Sequence, residues 1–160
     1  MNRLLVALLA LAFCAAAHAQ VVRPAPDFAI DGVAKGTSLK SFRGQAVVLI
    51  VTRRARDKEF RAMLTRLHDI YSEFSTEKVL FVAAIEDGGD QVPSDIPFVL
   101  AADPAQVAAD YGVNGRIGIA VIGVDGNLDF ITSRPVAAER VRDMVFNNYE
   151  SQSASRKLPL

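Results

Sequence analysis

Arg53, Arg54, Arg56, Lys58 and Arg61 crowd one short stretch of the chain. Guanidinium groups beside the free N–H groups of a helix start suit a carboxylate or phosphate, because forked donors match either anion and the helix end carries partial positive charge. Asp57 and Glu59 lie in the same stretch, and Glu86-Asp87 follow further on. The default expectation is therefore a solvated basic loop whose charges pair locally, each exposed pair contributing about 0–1 kcal/mol. An anion site is the alternative reading of the same residues.

Other reactive residue types are sparse. Of the two histidines, His18 lies in a hydrophobic leader, which leaves His68, and one imidazole does not make a metal site. His68 with Ser94 and Asp95 suggests a hydrolase, but the Gly-x-Ser-x-Gly elbow that would expose the serine is missing, so a helix-face histidine is the simpler reading. The acidic set Glu86, Asp87, Asp90 and Asp95 lacks the spacing of a calcium loop. Gly112, Gly115, Gly118, Gly123 and Gly126 do not join a strand to a helix start; turns and close strand packing explain them better than a nucleotide. Neither metal nor cofactor is expected.

The single cysteine, Cys14, sits in the leader. Asn2-Arg3, the apolar run of residues 4–17 and the small-x-small site Ala17-His18-Ala19 form a secretory signal pattern, with cleavage expected after Ala19. The apolar run is shorter than the ~20 residues that span a bilayer, and Phe13 before Cys14 argues against lipidation. Cleavage removes Arg3 and no carboxylate, leaving 17 basic against 18 acidic residues and a formal charge of −1. Nothing in that balance calls for nucleic acid or an acidic membrane, and no stable membrane anchor is expected after cleavage. The exported chain, periplasmic or secreted, would hold no thiol and no disulfide, so packing alone must stabilise it.

The remaining residues suffice for one core. After an extended lead-in at 20–26, Asp27–Ile30 reads as an edge strand, and Ala46–Val51 is a β-branched run suited to burial on both faces. From Asp57 to Phe74 the apolar residues recur every three or four positions, which predicts an amphipathic helix with Asp57 as its N-cap. Val79–Ile85 is a second buried strand, Phe98–Leu100 a short apolar segment, and Asp103-Pro104 opens a helix that Gly112 ends. Ile119–Val124 and Leu128–Thr132 form a hairpin around Asp125-Gly126-Asn127, and Val136–Tyr149 closes a domain spanning 27–149 ahead of a polar tail at 150–160. The order β, β, α, β, α, β, β, α predicts an α/β fold with a mixed sheet and helices on both faces.

Ala25-Pro26-Asp27-Phe28, Leu39-x-x-Phe42-Arg43-Gly44, Val47-Val48-Leu49, Asp103-Pro104, Tyr111-Gly112-Val113-x-Gly115 and Asp125-Gly126 appear in the order and spacing of a known family. Over residues 24–149 the chain resembles the thioredoxin-like redoxins, exported thiol-disulfide oxidoreductases and peroxiredoxins. The resemblance implies a thioredoxin-like fold, with the two sulfur positions near Arg56 and Glu59 and the family's cis proline at Ile117. This chain carries arginine, glutamate and isoleucine there, and a cis Arg116-Ile117 bond would cost ~3 kcal/mol.

The reagent of the family is thus absent while its scaffold pattern remains. The leading expectation is an exported thioredoxin-fold protein without thiol catalysis, a binding or accessory module for another envelope or secreted protein. Its surface would be the former active-site edge, with Arg53, Arg54, Arg56, Lys58, Arg116 and Ile117 as candidate contacts. The alternative is a redox-related enzyme, oxidoreductase or peroxidase-like, working with a partner's cysteines. Intact mass of the exported protein checks the leader: a chain starting at Gln20 that takes up no thiol reagent is expected.

Overall fold

The computed structural model describes residues 23–34, 36–88 and 91–156. The expected leader with Cys14, residues 20–22 of the lead-in, Asp90 and residues 157–160 lie outside them. The sheet is built around β3 (Ala46–Thr52), every residue of which is buried. A strand of Val, Leu and Ile can bury both faces only where both edges are also paired. Here β4 (Val79–Ile85) runs parallel along one edge and β6 (Ile117–Ile122) antiparallel along the other. With β1 (Arg23–Pro24), β2 (Ile30–Asp31), β5 (Phe98–Ala101) and β7 (Asn127–Thr132) the seven-stranded order is β1-β7-β6-β3-β4-β5-β2.

Alternation along β3 divides the core in two. Val48 and Ile50 face α1 (Lys58–Asp69) and α3 (Ala138–Arg156), packing with Phe60, Met63, Leu67, Val141 and Val145. Val47, Leu49 and Val51 face the opposite side, against Val107 and Ala108 of α2 (Pro104–Asp110) and against Tyr111. The mixed sheet with helices on both faces is the expected architecture. Tyr111 fixes the lead-in to this core: its hydroxyl donates to the Pro26 carbonyl at 2.9 Å, and burial pushes its phenol above the ordinary range.

Several boundaries differ from expectation for local reasons. The helix expected through Phe74 leaves α geometry at Ile70 (φ −114°) and continues as a 3₁₀ helix over Tyr71–Thr76, where the Ser75 hydroxyl donates to Ser72 O. Phe98–Leu100, read as a short apolar segment, belongs to a strand, Phe98–Ala101, parallel to β4, because its pairing with Phe81–Ala83 satisfies the backbone. The hairpin strands start earlier, since Gly123 to Gly126 turn the chain with a Gly126 N–H to Gly123 O bond and the Asp125 carboxylate accepts from Asn127. The last helix runs on to Arg156, into the expected polar tail, because residues 150–156 hold no glycine or proline to stop it.

Phe81 anchors the larger core half, with edge-on contacts to Tyr71, Phe74 and Phe98. Phe81→Ala is expected to destabilise the fold by roughly 3–5 kcal/mol in urea unfolding, by loss of burial plus a cavity.

Candidate functional site

The basic stretch hangs from the last residue of β3. Thr52 stands level with Ile85 of β4 and Ile117 of β6, and it is 1% exposed. Its hydroxyl lies 3.2 Å from Arg54 O, 3.2 Å from Arg116 O and 3.4 Å from a carboxylate oxygen of Asp57. One hydroxyl proton faces three acceptors, so this group holds the β3–α1 loop and the turn before β6 to a common point. Arg53 adds a second stitch, its guanidinium donating to Asn114 O at 3.3 Å. On the other flank, Glu86 N–H donates to Thr52 O and Asp87 N–H to Arg53 O, both at 3.0 Å, so the loop after β4 is fixed to the same edge.

The turn into α1 is closed by an Asp57 N–H to Arg54 O bond of 3.1 Å, and Arg61 N–H to Asp57 O at 3.0 Å begins the helical ladder. Asp57 occupies the N-cap position, but its side chain makes no cap hydrogen bond. The expected side-chain cap is absent because the carboxylate faces the Thr52 hydroxyl instead.

Arg53, Arg54, Arg56, Lys58 and Arg116 are all exposed along this edge. The local pairing expected of them is not formed. Among the described residues Lys40 pairs with Asp27, and Arg142 with Glu73 and Asp143, while no ion pair joins the basic stretch to a described carboxylate. Ile117 is different. Its side chain is fully buried, inside the larger core half, so it supplies no surface contact there. Arg56 lies exposed before the helix and Glu59 half-buried in its first turn, the positions matched to the family's sulfurs. All peptide bonds among the described residues are trans, Arg116-Ile117 included.

His68 and Asp95 approach to 3.8 Å with both side chains largely in water. Ser94 accepts the Ile96 N–H through its hydroxyl oxygen and makes no hydrogen bond to His68 among the described residues. No nucleophile and base are therefore joined there. Among the described residues no group of three His, Cys, Asp or Glu side chains converges on a metal position.

Solved structures similar to this one share its arrangement of strands and helices. A putative thiol:disulfide interchange protein DsbE from Chlorobium tepidum superposes with a TM-score of 0.64 at 22% identity, over 79% of this chain and 96% of its own. The fold is thioredoxin-like. The mitochondrial 2-Cys peroxiredoxin of Plasmodium falciparum superposes on the thioredoxin-like chain at 0.62 with 16% identity, over 87% of this chain and 99% of its own. The exposed lipoprotein thioredoxin Etrx1 of Streptococcus pneumoniae gives 0.53 at 19% identity, over 69% and 90%. No family profile and no curated protein matches the sequence.

Sequence reasoning located the arginines of this thioredoxin-like chain but passed over Thr52. The signal was available: a hydroxyl closes an otherwise apolar β-branched run, where burial demands a partner. Thr52→Val keeps the shape and removes the donor. It is expected to cost about 1–3 kcal/mol and to speed hydrogen exchange at the Asp57 amide, whereas Thr52→Ser retains most protection.

Proposed function

We propose that this chain is an exported thioredoxin-fold accessory protein that binds another envelope or secreted protein through the edge carrying Arg53, Arg54, Arg56, Lys58 and Arg116, with no thiol chemistry of its own. The observation that carries the reading is a substitution in kind. Where a thiol-dependent relative needs sulfur, residues 53–59 present exposed guanidinium groups without carboxylate partners among the described residues. Thiol exchange requires a thiolate nucleophile, and the only cysteine lies in the leader.

The signal pattern of residues 1–19 supports export, as does the similarity to an exposed lipoprotein thioredoxin. Among the described residues no helix is long and apolar enough to cross a membrane. A rigid edge supports binding as well. Thr52 and Arg53 hold the two loops in register, so their guanidinium forks meet a partner with less ordering cost than on a free loop. A second reading, an oxidoreductase acting through a partner's cysteines, rests on the similarity to a thiol:disulfide interchange protein and a peroxiredoxin.

Affinity capture from the envelope fraction tests the proposal. A partner retained by the native protein is expected to fall at least tenfold in yield when Arg53, Arg54 and Arg56 are replaced by alanine. Unchanged retention would remove this edge from the binding surface.

A further inference from the structure

The same edge carries both signs of charge, sorted by strand. In spatial order, Arg134 follows β7, Arg116 precedes β6, Arg53, Arg54 and Arg56 follow β3, Glu86 and Asp87 follow β4, and Asp103 follows β5. The pairings Thr52 with Ile117, Thr52 with Ile85, and Ile119 with Thr132, together with β5 running parallel to β4, bring these ends to one side of the sheet. All of these charged side chains are exposed.

Strands lie about 4.8 Å apart, so a cationic half and an anionic half sit side by side with the boundary between β3 and β4. The halves do not neutralise each other: no ion pair joins them among the described residues. Asp57 forms no ion pair with these cations: its carboxylate faces the Thr52 hydroxyl and the residue is half-buried. Asp103 is engaged only as the N-cap of α2, accepting from Gln106 N–H.

We infer that this edge is self-complementary and docks a second copy of the chain about a two-fold axis lying between β3 and β4. Such an axis lays Glu86 and Asp87 of each copy over Arg53, Arg54 and Arg56 of the other, and Asp103 over Arg116. An isologous contact uses one patch twice, and a patch of two opposite halves is its own complement under that rotation. A nucleic acid or an anionic membrane matches the cationic half alone and meets Glu86, Asp87 and Asp103 with like charge. The near-zero net charge of the chain sets up no long-range repulsion between copies.

This inference rests on reading the edge as a docking surface, yet the two fail separately: a monomer that still loses its partner on arginine replacement leaves the proposed function standing. Sedimentation equilibrium of the purified chain at about 50 mM and about 500 mM salt is the test, since exposed charges are screened beyond ~10 Å at 0.1 M salt. A dimer at low salt, weakened at least tenfold at high salt, is expected. The pairs Glu86→Lys with Asp87→Lys and Arg53→Glu with Arg54→Glu each give monomers, and mixing the two variants restores a dimer. Circular dichroism confirms that each variant is folded. A native chain that stays monomeric at low salt, a dimer indifferent to either reversal, or reversed variants that do not pair on mixing each overturn the inference.

Discussion

The exposed edge depends on one buried hydroxyl. Among the described residues Thr52 is the only polar side chain in the core besides the Tyr111 phenol, and its position at the end of β3 puts three acceptors from two chain segments around it. A buried donor must be satisfied, so the loop after β3 and the turn before β6 are drawn together rather than left to solvent. That constraint decides where Arg53, Arg54, Arg56 and Arg116 stand. It also engages the Asp57 carboxylate, which makes no cap hydrogen bond to the helix end and no ion pair with the arginines.

The scaffold and the surface it presents are under different physical demands. β3 is invariantly apolar until Thr52 because both its faces and both its edges are covered. Beyond Thr52 only Ala55 packs against the core before the helix, and the exposed positions around it carry Arg53, Arg54 and Arg56. A thioredoxin-like fold can therefore persist without its sulfur, since the fold is held by the core and the chemistry sits in loops outside it.

Much of this was legible in the sequence. Ala46–Val51 and Val79–Ile85 announce themselves as doubly buried strands, and the stripe Phe60, Met63, Leu64, Leu67 fixes the buried face of α1. The β5 strand was not legible as such, because three apolar residues declare no period and only the pairing with β4 makes them a strand. The site was legible in residue type and not in geometry. Adjacent opposite charges such as Arg56 and Asp57 suggest pairing, but a tertiary partner, the Thr52 hydroxyl, competes for the carboxylate. Ile117 shows the same limit: its alignment with a surface-facing family position gave no hint that its own side chain fills the core.

The proposed binding role of this thioredoxin-like chain involves no thiol chemistry. Insulin reduction and peroxide consumption by purified protein carrying Cys14→Ala, with the standard reductants supplied, test it most directly, because no uncleaved leader can then contribute a sulfur. Rates equal to buffer are expected in both assays. Clear turnover by the cysteine-free chain would contradict it.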